Sequence, residues 1–150
     1  MARLGIFGGS FNPVHNGHLI MALEAVERAA LDRLLLIPVA APPHKPAEVL
    51  LPGDLRLRLL QLACRGVPAL SVDDRELRRG GVSYTVDTLR ELRLEFPGDE
   101  FFFLAGEDSL VDLWKWRDAA SLATLTTFLG VRRPHSRPVD LDHVRSLGFE

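Results

Sequence analysis

LGIFGGSFNPVHNGHLIMALEAV, running from Leu4 to Val26, decides the fold class. Leu4-Gly5-Ile6-Phe7 is a short unbroken apolar run, the mark of a strand covered on both faces, and Gly8-Gly9 ends it. From Asn16 to Ala30 the apolar residues Leu19, Ile20, Ala22, Leu23, Val26 and Ala30 recur at helical spacing. Strand, glycine turn and helix in that order open a βαβ unit. Leu34-Leu35-Leu36-Ile37-Pro38-Val39 closes it as a second buried strand, with Pro38 at its end or at an unpaired position.

The same alternation continues outward. Ala40 to Gly53 carries Pro42, Pro43, Pro46 and Pro52 and reads as an ordered loop. Asp54 is placed to cap a helix reaching Cys64, with Gly66 closing it and Cys64 on its apolar face. Ala69 to Val72 is a third strand, and Asp73 to Tyr84 is polar and loop-like. Thr85 is placed to cap a helix to Phe96, stopped by Pro97-Gly98. Phe101 to Ala105 and Thr126 to Val131 are the fourth and fifth strands, with a weak helical region from Asp108 to Leu122 between them. A short helix from Leu141 to Leu147 follows. The expected architecture is a single α/β domain over residues 1–150, a doubly wound parallel sheet of about five strands with helices on both faces. In such sheets ligands bind beyond the carboxyl ends of the strands, where strand order reverses.

Composition narrows the function classes. The 150 residues are 47% hydrophobic and 25% charged, enough to bury a core and too apolar for disorder. No apolar run approaches the roughly 20 residues of a membrane helix. The opening residues meet glycine and proline too soon for a signal peptide, and one cysteine cannot form an internal disulfide. A cytoplasmic location follows as the expectation. A formal net charge of −2 argues against a broad nucleic-acid surface and leaves small anionic substrates open. Of 18 basic residues only Lys45 and Lys115 are lysines, a bias that carries no function.

The chemistry is expected between Gly8 and His18. Two glycines let backbone amides approach a ligand, and the helix N-terminus beyond offers N–H groups and the positive end of a dipole. No Lys-Ser or Lys-Thr follows, so this is not a Walker loop, nor does it match Gly-x-Gly-x-x-Gly. His15 and His18 stand three residues apart at the helix entrance. They read either as capping or core histidines or as two rings aimed at one anion, and the His-Asn-Gly-His unit on a glycine turn favours the anion. No Cys, Asp or Glu nearby completes a metal set.

Gly8 to His18 resembles the Gly-x-Phe-Asp/Asn-Pro-x-His-x-Gly-His signature of the adenylyl- and cytidylyltransferases, with Asn12 where many members carry Asp. The resemblance implies a Rossmann-like fold. Further segments, in order, are similar to those of the nicotinate-mononucleotide adenylyltransferases: Pro42-Pro43-His44-Lys45, Arg56 to Leu60, Glu76 to Leu89 with Ser83-Tyr84-Thr85, Gly106-Glu107-Asp108, Trp114-Lys115-Trp116 and Arg132-Arg133-Pro134. That family makes deamido-NAD and diphosphate from ATP and nicotinate mononucleotide. The resemblance implies catalytic roles for His15, His18 and Lys45. It implies ATP contacts from Gly8, Gly9, Ser10, Phe11, His15, His18, His44, Lys45, Gly106 and Asp108. For the mononucleotide it implies Ser10, Phe11, Lys45, Tyr84, Thr85, Trp114, Lys115 and Arg133. Mg²⁺ would accompany ATP, with no resident metal ligands, no nucleic acid or membrane partner, and homo-oligomerisation left open. Trp116 and Cys64 are expected in the core.

The family usually continues through a further strand to an Ile-Ser-Ser-Thr-x-x-Arg-like segment that holds ATP phosphates, and no such motif stands before Glu150. The expectation is a domain lacking its C-terminal strand and helix. The rival readings are phosphopantetheine adenylyltransferase, which shares the histidine signature but has Thr where His15 stands, and a catalytically silent nucleotide-binding module.

Overall fold

The computed structural model describes residues 2–41, 49–106 and 116–131. Five strands, β1 (Arg3–Gly9), β2 (Arg33–Pro38), β3 (Leu70–Val72), β4 (Glu100–Gly106) and β5 (Thr127–Val131), form one sheet in the order β3-β2-β1-β4-β5. Every pairing is parallel. The chain walks from β1 to β3 in one direction and then returns to add β4 and β5 on the other side. The order therefore reverses between β1 and β4, and their carboxyl ends border the crevice where α/β sheets hold ligands.

Side chains alternate across the sheet with the period of a strand. Leu4, Ile6, Leu35, Ile37, Phe101 and Phe103 face one layer, where α4 (Thr85–Glu95) and α5 (Ala119–Leu125) contribute Val86, Leu89, Leu92 and Leu122. Phe7, Leu34, Leu36, Phe102 and Leu104 face the other, covered by Ala22 and Ala25 of α1 (Asn16–Arg28) and by Leu60 and Cys64 of α2 (Gly53–Cys64). Both faces are covered, which is why these strands read as continuous apolar runs. Cys64 is buried, and burial pushes its thiol pKa up. Trp116 packs edge-on against Phe103 and Phe128, as expected of a core side chain.

Three local expectations are corrected. Asp54 does not cap α2: Pro52 is the N-cap residue and the Asp54 carboxylate accepts from the Leu55 N–H at 2.9 Å. Pro52 pre-sets the entry to the helix without a side-chain acceptor. Thr85 is the first residue of α4, with Tyr84 at the N-cap and no side-chain cap. The polar stretch after β3 contains a five-residue helix, α3 (Arg75–Arg79), too short and too charged for a periodic pattern. The proline-rich loop over 42–48, the first part of the weak helical region and the helix expected at 141–147 lie outside the described residues. Among the described residues no helix is long and apolar enough to cross a membrane.

Candidate active site

At the carboxyl end of β1, Gly8 and Gly9 pair with Ile37 and Pro38 of β2. A Cβ built at either glycine meets nothing closer than 3.5 Å. The protein's own packing thus leaves room for a side chain there. Close approach by another molecule would account for its absence. Phe11 has a left-handed φ of 44° and is 2% exposed. Its ring stands edge-on to Phe7 at 5.2 Å and to His18 at 5.0 Å, so only its main chain faces outward.

His15 is the N-cap residue of α1 and His18 is the third residue of the helix. The Gly17 N–H donates to His15 Nδ1 at 3.1 Å, and the His15 N–H donates to His18 Nδ1 at 3.1 Å. This is a capping box built from two imidazoles, satisfying two of the N–H groups that a helix start leaves unpaired. The rings stack with centroids 3.8 Å apart and planes inclined by 26°. Each Nδ1 accepts, so in the neutral ring Nε2 carries the proton on both histidines. Capping and anion binding are therefore compatible: one nitrogen of each ring holds the helix, and the other is a donor. His15 is exposed and His18 is half-buried.

Gly17 makes this arrangement sterically feasible. A Cβ at this position would lie 2.9 Å from Cε1 and Nδ1 of His15, inside the closest approach real Cβ atoms make. The glycine between the two histidines is the space in which the first ring sits.

The other expected residues fall into two groups. Tyr84 and Thr85 begin α4, on the opposite layer of the sheet from α1. Arg117 stacks over the Tyr84 ring at 4.3 Å, and Arg90 of α4 donates to Asp118 at 2.6 Å. Gly106 ends β4, opposite Val131. His44, Lys45, Asp108, Trp114, Lys115 and Arg133 lie outside the described residues.

Two charged side chains without an assigned role prove to be buried beside these elements. Arg56 is 2% exposed and donates to three main-chain carbonyls: Ser10 at 2.9 Å, Val39 at 2.7 Å and Leu51 at 2.9 Å. It shares the inward stripe of α2 with Leu60 and Cys64, at spacings of four, and that spacing is the sequence signal that marks it. Glu76 of α3 is 6% exposed and accepts from the Thr88 hydroxyl at 2.6 Å. Burial raises its pKa, opposed by the Thr88 bond and by Arg79. Around it Arg79 bonds Ser83 at 2.9 Å and pairs with Glu91, and Arg75 bridges Asp73 and Glu95 at 2.8 and 2.7 Å.

Among the described residues no three His, Cys, Asp or Glu side chains converge as a metal site. A divalent ion here would arrive on the oxygens of a polyphosphate, as Mg²⁺ commonly does.

Two kinds of relative match this chain. A protein from Geotalea uraniireducens named "Probable nicotinate-nucleotide adenylyltransferase" is 46% identical over 140 residues, 93% of this chain and 65% of the relative. One of the same name from Opitutus terrae is 45% identical over 132 residues, 88% of this chain and 68% of the relative. The chain thus spans just under two thirds of the length of the first. Among solved structures, the nicotinic acid mononucleotide adenylyltransferase of Plasmodium falciparum complexed with NaAD superposes with a TM-score of 0.83. It is 16% identical, with 98% of this chain and 71% of that one covered, so it speaks for the fold. A putative nicotinate-nucleotide adenylyltransferase from Vibrio parahaemolyticus gives 0.73 at 21% identity, over 88% and 74% of the two chains. The model of the cytidylyltransferase-like family matches residues 6 to 147, from within β1 across the glycine turn, the histidine box and the four later strands, and the chain belongs to that family.

Proposed function

We propose that this chain carries an adenylyl-transfer centre that joins ATP to nicotinate mononucleotide, giving deamido-NAD and diphosphate. The observation that carries the reading is the imidazole capping box, which stacks His15 and His18 at the entrance of α1 directly after the glycine turn with both Nδ1 atoms bound to the main chain. Relatives at 45–46% identity bearing the nicotinate-nucleotide name support the choice of acceptor.

In this reaction the 5′-phosphate of the mononucleotide attacks the α-phosphorus of ATP in line. A P–O bond forms as the bond to diphosphate breaks. The nucleophile is already an anion, so no strong base is required, and catalysis reduces to positioning and charge stabilisation. His15 and His18 donate from Nε2 to phosphoryl oxygens, and Lys45 adds a point charge. The main chain of Gly8, Gly9, Ser10 and Phe11 lies along the phosphates. His44, Gly106 and Asp108 serve the ATP side. Tyr84, Thr85, Trp114, Lys115 and Arg133 serve the mononucleotide, with Trp114 stacking on the pyridine ring and the amides of Thr85 and Lys115 on the carboxylate. Mg²⁺ bound to the triphosphate supplies further charge neutralisation. A cytoplasmic setting is part of this reading, supported by the single cysteine.

The test is diphosphate release from ATP and Mg²⁺ with nicotinate mononucleotide, nicotinamide mononucleotide or phosphopantetheine as acceptor. Release with nicotinate mononucleotide supports the reading, and release with phosphopantetheine alone overturns it. A chain that binds ATP but releases nothing with any acceptor is a binding module.

A further inference from the structure

We infer that Arg56 and Asn12 are positioning residues that hold the histidine loop in register for the reaction. The inference rests on the function proposed for that loop. Arg56 reaches Ser10, Val39 and Leu51, so one planar guanidinium ties the end of β1, the residue after β2 and the segment leading into α2. Asn12 closes the same ring of contacts from the outside. Its Nδ2 donates to the Val49 carbonyl at 2.9 Å, and its Oδ1 accepts from the Leu51 N–H at 2.8 Å. Leu51 is thus gripped at both ends, its N–H by Asn12 and its carbonyl by Arg56. Val39, Val49 and Leu51 are thereby tied to Ser10 and Asn12, which lead into the histidines.

The path from the clamp to the reacting groups is short. Ser10, held by Arg56, precedes Phe11, whose left-handed backbone drives its ring beneath His18 at 5.0 Å. Releasing the Ser10 carbonyl frees Phe11 to rotate and removes the support on which the His18 ring rests. The residue types fit the task. Guanidinium spreads five donors over a rigid plane, whereas an ammonium is a single point with three. Asn12 must both donate and accept here, which a carboxylate in its place cannot do.

Histidine-ring ¹⁵N spectra and steady-state kinetics test this on the full chain, with His15→Gln and His18→Gln assigning the signals. The wild type is expected to show bare Nδ1 and protonated Nε2 on both rings. Arg56→Lys keeps the charge but cannot span three carbonyls. It is expected to mix the tautomers of both rings and lower kcat/KM by about 10²-fold, the scale of an ångström of misplacement. Asn12→Asp removes one donor, with an expected loss of about tenfold. Arg58→Lys, on the exposed side of the same helix, leaves both readouts unchanged. Wild-type ring signals and wild-type kcat/KM in Arg56→Lys overturn the inference. Should that variant fail to fold, the same result in Asn12→Asp overturns it. A wild type inactive with every acceptor, alongside a shifted ring pattern in Arg56→Lys, removes the proposed function and leaves the clamp standing.

Discussion

Two helices begin at the carboxyl edge of the sheet, and they begin differently. The first turn of α1 is closed by two imidazoles that cap each other's backbone. The first turn of α4 has no side-chain cap, and the Tyr84 carbonyl accepts from the Asp87 and Thr88 N–H groups. The contrast extends to what lies beneath. Under the α1 entrance sits Arg56, which cannot shed its charge and is bound to carbonyls. Beside α4 sits Glu76, which can take up a proton and is bound to one hydroxyl. The clamp beside α1 is a guanidinium held by carbonyls, whereas the contact beside α4 depends on a titratable carboxyl.

The largest expected effect separates the two jobs of the histidines. Glutamine at the third helical position and serine at the N-cap form an ordinary capping box, so His18→Gln and His15→Ser keep the helix start while removing Nε2. Each is expected to lower turnover by about 10²–10³-fold, the loss seen when one charge-stabilising donor goes. Melting temperatures should stay within about 2 °C of wild type, because a retained cap changes stability by well under 1 kcal/mol. Equal losses of turnover and stability would reduce the histidines to structural caps.

Gly17→Ala is the next step down. The new Cβ would lie 2.9 Å from the His15 ring, which must leave its place over the helix. Losing the cap costs about 1 kcal/mol, and alanine returns about as much in helix propensity. The melt therefore barely moves while turnover falls by roughly 10- to 100-fold, the penalty of a misplaced catalytic group. A melt and a diphosphate assay on one preparation check it.

How much of this was legible in the sequence follows from what each residue competes with. Leu34 to Ile37 and Phe101 to Ala105 read correctly as strands because both sheet faces are covered and no polar residue interrupts them. The placement of His15 and His18 at the entrance of α1 was equally plain, since glycines stop the strand just before it. Their mutual capping was not, because sequence spacing does not say which ring nitrogen meets the backbone. Pro52, two residues earlier, took the place of Asp54 at the cap of α2, because the propensity of Asp for caps outweighs proline's fixed φ on paper. Arg56 stood in a family-like segment without a role, because a charged residue in an apolar stripe is ordinarily read as pointing out, and only three converging carbonyls explain it pointing in.

On the α4 side the effects are smaller and fall on stability. Thr88→Val keeps the side-chain shape and removes the hydroxyl that donates to Glu76. A buried carboxyl that loses its donor is expected to cost about 2 kcal/mol, read as a lowered midpoint in urea with an unchanged slope. Because Thr88 lies in the first turns of α4, the KM for the mononucleotide should rise more than that for ATP. A rise confined to ATP would place α4 on the wrong side of the site.

The smallest effect is one of pH, and its sign is set by burial. Burial raises the pKa of Glu76 above its ordinary 4.5, and neighbouring Asp73 adds to this, while Thr88, Arg79 and Arg75 oppose it. Below 4.5 the group is protonated whether the chain is folded or not and contributes no difference. As pH rises from there, the unfolded chain releases the proton first, and stability is lost until the folded carboxyl has also ionised. Glu76→Gln keeps an oxygen for the Thr88 hydroxyl and removes the titration. The melting temperature of the variant minus that of the wild type is therefore expected to grow as pH is raised from 4.5 toward neutrality and then level off. A difference for Glu76→Gln that shrinks with pH would mean that Arg79 and Arg75 outweigh burial, and that the carboxylate, not the acid, is the form the α4 side is built around.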